Sequence, residues 1–131
     1  MRTFLIYALS LSASLFSVQK AWGLPLPHIN QNQSYRALRQ ELIKMRWQPA
    51  AFELENEFGA VRNHIHQVEG WHELEDCSGT GLGFCKFIFQ DEQGNQLSIT
   101  TVNNDPVFPA SERYRIYGWD YTPVKHKRHL W

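Results

Sequence analysis

The chain has 131 residues, with 13 basic and 13 acidic side chains, so its formal net charge is zero with histidines neutral. That balance argues against nucleic acid or an anionic membrane surface as a main partner. Five tryptophans, five tyrosines and eight phenylalanines are a heavy aromatic load for this size, and most must form core, because each ring buries a large apolar area.

The N-terminal stretch MRTFLIYALSLSASLFSVQKAWG, residues 1–23, reads as a secretory signal peptide. Arg2 stands near the start, an apolar run follows from Phe4 to Val18, and Ala21-Trp22-Gly23 places small residues at the two positions a signal peptidase inspects. The rival reading is an uncleaved membrane anchor. The run is short of the roughly 20 residues a spanning helix needs, and Ser10, Ser12, Ser14 and Ser17 dilute it. Cleavage after Gly23 is therefore expected, although Lys20 and Trp22 are unusual so near a cut. It leaves 108 residues, enough for one domain, with 11 basic against 13 acidic side chains. No later stretch is apolar enough for a membrane span, so no stable span is expected after cleavage.

Residues 24–33, LPLPHINQNQ, form an extended leader with two prolines and no period. Ser34 is a plausible N-cap, with Asn32 as the alternative. Tyr35, Leu38, Leu42 and Met45 then fall on one stripe of a helix running to Arg46. Pro49 bars its continuation, because the residue before proline avoids helical geometry, and an extended piece around Trp47 to Phe52 follows. Leu54, Phe58, Val61 and Ile65 have the spacing of a second helix around 54–68, which Gly59 and the Asn63-His64 pair weaken. Phe84–Gln90 and Gln96–Val102 read as strands joined by the turn DEQGN, and Tyr114–Tyr121 reads as a third. The expected fold is α+β: one or two N-terminal helices on a three-stranded antiparallel meander, in two layers with one disulfide. It occupies 34–122, with 123–131 left as a basic and aromatic tail.

Cys77 and Cys85 are the candidates for that disulfide, which an exported protein can keep. The bond would pin the entrance of the first strand. It would also rigidify a loop whose tip, Thr80-Gly81-Leu82, could meet a partner with little loss of entropy. The glycines of SGTGLG do not fit a phosphate loop, since Lys86 is out of register and a strand follows where a helix should. Glycines that supply positive φ in a tight ring are the better account. His64, His66 and His72 raise a metal site as an alternative. On a strand His64 and His66 would share a face, whereas on a helix they point about 200° apart.

No nucleophile has a recognisable setting. Ser78 lacks the G-x-S-x-G elbow, and nothing pairs the carboxylates Glu73, Glu75, Asp76 and Asp120 across a cleft. The chain reads as a non-enzyme with no cofactor. In the last strand Tyr117, Trp119 and Tyr121 alternate onto one face, opposite Ile116 and Gly118. Those rings either pack inward or form an exposed contact patch.

Tyr35-x-x-Leu38-Arg39, Trp47-x-Pro49 and Cys77-Ser78-Gly79-Thr80-Gly81 leading to Cys85-x-Phe87-x-Phe89 together resemble a group of small exported proteins of Gram-negative bacteria. The resemblance spans roughly Tyr35 to Tyr121. It implies residence in the periplasm and carries no activity with it. In outline the order of elements is also similar to periplasmic inhibitor-like and assembly-factor folds. The expected role is thus a non-catalytic protein-binding module, inhibitor- or immunity-like. Its contact residues would be Thr80, Gly81, Leu82, Tyr117, Trp119 and Tyr121, and its partner another periplasmic or envelope protein. A small-ligand or metal-binding domain is the alternative.

Overall fold

The computed structural model describes residues 23–53, 59–79, 81–104, 107, 109 and 112–124. The segment before Gly23 read as a signal peptide, residues 54–58 where the second helix is expected to begin, Thr80 and residues 125–131 lie outside the described residues.

Helix α1, Tyr35–Lys44, buries the stripe that its spacing foretold, with Tyr35, Leu38 and Leu42 inaccessible to solvent. Ser34 occupies the N-cap in extended geometry, and its carbonyl accepts the Leu38 N–H at 3.1 Å. The helix stops because Arg46 turns to a φ of 72°, which lets Trp47 N–H bond back to the Leu42 carbonyl at 2.9 Å.

The sheet is antiparallel and five-stranded, which corrects the three-stranded meander. Strand β1, Gln48–Pro49, and strand β2, Leu74–Cys77, lie one after the other along the same edge of β3, Phe84–Gln90. Beyond β3 come β4, Gln96–Val102, and β5, Arg115–Thr122. Between β1 and β2 the chain forms a short helix α2, Ala60–His64, which continues as a wider π-helical turn, Ile65–Glu69. The second helix is thus helical over 60–69 among the described residues. Its spacing is only partly borne out: Ile65 is buried, while Val61 is 49% exposed.

One core lies between α1 and the sheet. Cys85, Phe87 and Phe89 of β3, Leu97 and Ile99 of β4, and Ile116 of β5 meet Tyr35, Leu38, Leu42, Trp47 and Trp71 there. The leader is part of this body. Leu24 and Ile29 pack on the core, the Pro25 carbonyl accepts Trp47 Nε1–H at 3.2 Å, and Asn32 and Gln33 exchange backbone bonds with Ile116.

Cys77 and Cys85 are directly opposite each other in the β2–β3 register and form the disulfide. Two bonds between Ser78 and Phe84 close the ring further: Ser78 N–H to the Phe84 carbonyl at 2.7 Å and Phe84 N–H to Ser78 Oγ at 3.0 Å. The Cys77→Ser/Cys85→Ser double variant is expected to lose roughly 2–3 kcal/mol by the loop-entropy argument, read as a fall of about 10 °C or more in Tm. A fall under about 4 °C would show that the backbone pairing already holds the loop closed.

Candidate functional site

The disulfide loop is fixed from both sides. Leu82 and Gly83 offer their carbonyls to the N–H groups of Asn103 and Asn104, just past β4, at 2.8–3.3 Å. Gly83 adopts a φ of 68°, and a Cβ there would stand 2.7 Å from Asn104 Nδ2, so only glycine fits this approach. The loop therefore presents a set shape, with Gly81 exposed and Leu82 40% exposed at its tip.

Behind the loop runs a groove of three hollows that share walls. The first, about 320 Å³, lies between α2 and the loop, bordered by Val61, Arg62, Ser78, Gly79, Gly83 and Asn103. The second, about 210 Å³, shares Ala60, Val61, Asn103 and Asn104 with it and reaches Arg113 and Tyr114. The third, about 370 Å³, shares His64, Arg113 and Tyr114 with the second and ends against Arg36, Glu69 and Trp71. Each hollow alone is at or below the small end of ligand pockets, and each shares lining residues with the next.

The two ends of this groove differ in chemistry. At the loop end the walls are mostly backbone and small side chains. Arg62 is tied there by an ion pair to Asp76 at 3.2 Å and by donation to the Glu75 carbonyl. Asn103 donates Nδ2–H to Cys85 Sγ at 3.1 Å, while its Oδ1 is buried without a hydrogen-bond partner. A buried, unpaired acceptor is uncommon, because it forgoes hydration without compensation.

At the far end the floor is aromatic and the rim charged. Trp71 packs edge-on against Tyr35 at 4.9 Å and Tyr114 at 5.3 Å, and Arg36 lies 5.2 Å above its ring. Arg36 also pairs with Glu69 at 2.5 Å, and Arg115 pairs with Glu112. Tyr114 holds a φ of 66°, rare for an aromatic residue, and its carbonyl accepts the first N–H of α1 from Tyr35 at 2.9 Å. Burial, reinforced by the nearby negative charge of Glu69, raises the Tyr114 hydroxyl above the ordinary phenol value, so it is neutral and available as a donor.

The residues singled out from the sequence separate in space. Tyr117 is a β-bulge: Thr100 pairs with Gly118 and Thr101 with Ile116, which leaves Tyr117 as the extra residue. The bulge resets the alternation and corrects the single aromatic face. Trp119 and Tyr121 stand opposite Ile99 and Leu97, in the same register as Ile116, while Tyr117 turns away to meet Phe84 at 4.9 Å. Tyr121 packs on the core beside Trp47, whereas Tyr117 and Trp119 are 52% and 46% exposed. Tyr117 therefore packs on Phe84, the first residue of β3 after the loop.

The histidines separate as well. His66 and His72 are in contact, Nε2 to Nδ1 at 2.9 Å, while His64 turns toward Glu69 at 3.9 Å. Among the described residues no group of three or more histidine, cysteine, aspartate or glutamate side chains is placed to hold a metal ion. Of the four carboxylates weighed for catalysis, Glu73, Glu75, Asp76 and Asp120, Glu73 is the buried one, and it is engaged by Tyr35 and Arg39 within the core.

The fold defines a disulfide-bridged α+β domain with an antiparallel sheet and a groove behind its disulfide loop. Among the described residues no helix is long and apolar enough to cross a membrane. Comparison of the chain with protein-family models, curated proteins and solved structures gave no match.

Proposed function

We propose that this is a non-catalytic, periplasmic protein-binding module, inhibitor- or immunity-like, that grips an extended segment of another envelope protein along the groove behind the Cys77–Cys85 loop. The observation that carries the reading is the run of three hollows with shared lining residues behind a loop held at both ends. An extended peptide is the shape that such a run admits along its length, and Asn103 lines two of the three hollows as a polar contact. The exposed Leu82 at the loop tip supplies an apolar contact. The rigid loop lowers the entropy lost on docking.

The test is site-specific photocrosslinking in the periplasm from position 82, with a position on the exposed face of α1 as control. One partner captured from 82 alone is expected, with capture reduced at least tenfold in Leu82→Asp and in Asn103→Ala while Tm stays within about 3 °C. Equal capture from both positions, or capture unaffected by both substitutions, would sink the reading. The alternative, a small-ligand domain, draws support from the 370 Å³ hollow over Trp71. It predicts no crosslinked partner and a change in tryptophan fluorescence on adding periplasmic small-molecule extract.

A further inference from the structure

We infer that the α-amino group released by cleavage after Gly23 is a built-in ligand of the sheet, an ammonium seated on the buried Asp91 carboxylate at the β3–β4 turn. The inference rests on reading residues 1–23 as a cleaved signal peptide. It is independent of what the groove binds.

Three observations place the seat. Asp91 is 5% exposed, and its Oδ1 accepts the N–H groups of Gln93 at 3.0 Å and Asn95 at 2.8 Å, while Oδ2 accepts Asn95 Nδ2–H at 2.7 Å. The backbone N–H of Leu24 faces this carboxylate closely enough to help hold it below its ordinary value. Gly23 is pressed so closely against the same groups that a Cβ would stand 2.8 Å from Asn95 Nδ2, 3.1 Å from Tyr121 Oη and 3.2 Å from Asp91 Oδ2. The nitrogen that cleavage would free thus carries an N–H that already stands beside a buried anion. Downstream the chain is held in place, by the Leu24 side chain on the core and by the Pro25 carbonyl on Trp47.

Hydrolysis changes the character of that contact. Water adds its hydroxyl to the Gly23 carbonyl carbon as the amide breaks. Gly23 leaves as a carboxylate with the signal, and the Leu24 nitrogen gains one proton from water and a second from solvent. A neutral N–H donor becomes an ammonium with three, and the contact with Asp91 becomes a charge-assisted bond in a site shielded from water. Processing would then lock the N-terminus onto the β3–β4 turn, with a tightness the precursor lacks.

The pH dependence follows from the groups that face the seat, Asp91 and Tyr121, with Asn95 and the Gln93 backbone neutral. Burial works against the Asp91 charge, but the hydrogen bonds from Asn95, Gln93 and Leu24 outweigh it and hold the carboxyl below its ordinary value. It is therefore ionised at neutral pH. An α-amino group ordinarily titrates near about 8, and an anion beside it raises that value in the folded state. Its contribution is then complete below the unfolded value and is lost as pH rises through the folded one.

The test begins with the N-terminal residue of the exported protein, which is expected to be Leu24. The free-amine form is then compared with the same protein acetylated selectively at the α-amino group, which keeps an N–H but removes the charge. At pH 6.5 acetylation should lower Tm by about 4 °C or more, an effect that shrinks toward pH 9.5 and is absent in Asp91→Asn. An NMR titration of the α-amino group should place its pKa above the ordinary value, a readout that stands even if Asp91→Asn fails to fold. A first residue other than Leu24 overturns the cleavage reading and the inference with it. Leu24 first, with no acetylation effect and an ordinary α-amino titration, overturns the inference alone.

Discussion

Glu73→Ala is expected to destabilise the domain by about 3 kcal/mol or more, the largest loss for any single charged side chain described above. Glu73 is fully buried, and its carboxylate accepts Tyr35 Oη–H at 2.7 Å and Arg39 Nε–H at 2.5 Å, with Arg39 Nη2 farther away at 3.4 Å. The Tyr35 hydroxyl is held well above the ordinary phenol value by burial first, then by the Glu73 charge and the hydrogen bond to it, so it stays a donor. Truncating Glu73 strands a phenol and a guanidinium at once. Arg39 retains some access to water, with 23% of its side chain exposed, which places the expected loss toward the lower end of the range for broken buried pairs.

The double variant Arg39→Met/Glu73→Leu separates the pair's net value from the penalty of breaking it. Apolar residues of similar volume should recover the guanidinium's share of the loss, since a buried ion pair seldom outperforms good packing, while the buried Tyr35 hydroxyl still lacks its acceptor. Urea unfolding of the single and double variants gives both quantities. A loss under about 1 kcal/mol for Glu73→Ala would show that water reaches the site and that the network contributes little.

Glu73 also shows how far the sequence could be read. As a carboxylate near Glu75 and Asp76 it could be weighed only as a catalytic candidate, because nothing in its neighbours tells that Tyr35 and Arg39 arrive from a helix far away in the chain. Helix α1 was legible because Tyr35, Leu38 and Leu42 repeat at helical spacing. The β3–β4 hairpin was legible because apolar alternation flanks a turn with Gly94 at a φ of 84°. Strand β2 was missed because it is four residues long, mostly polar, and broken by a bulge between Leu74 and Asp76 that removes any alternation. Strand β1 has two residues, one of them proline, and was foreseen only as an extended piece.

The site was legible by half. Cys77 and Cys85 pointed to the loop, and the glycines between them pointed to its positive φ angles. The groove did not show, because its walls come from α2, the loop, residues 103–104 and residues 113–114, which share no local pattern. The Tyr117 bulge hid for a different reason. A single extra residue leaves the sequence looking regular while it exchanges the faces of everything beyond it. Asn103 is the signal that could have been weighed, since two asparagines directly after a β-strand invite the question of what their amides bond.

Trp71→Ala is expected to cost about 3–5 kcal/mol, a third or more of the stability of an ordinary domain of this size. Trp71 is 3% exposed, and its ring touches three different parts of the chain. Its ring meets Tyr35 of α1, Phe87 of β3 at 6.0 Å, Tyr114 before β5, and the Arg36 guanidinium above. Its backbone N–H closes the π-helical turn on the Ile65 carbonyl at 3.2 Å. The cavity left by alanine would lie under the third hollow of the groove, where Tyr114 already holds an unfavourable φ, so collapse of the site would release that residue as well. Trp71→Phe should recover more than half of the loss, because it keeps an aromatic edge for Tyr35 and Tyr114 while giving up part of the surface beneath Arg36. Urea unfolding of the two variants measures this directly. If Trp71→Ala lost less than about 1.5 kcal/mol, Trp71 would be a replaceable floor and the groove would owe its shape to the loop and α2 alone. A loss in the expected range would instead make one ring the common support of core and groove, so that substitutions at the far end of the groove cannot be read for binding without a parallel measure of folding.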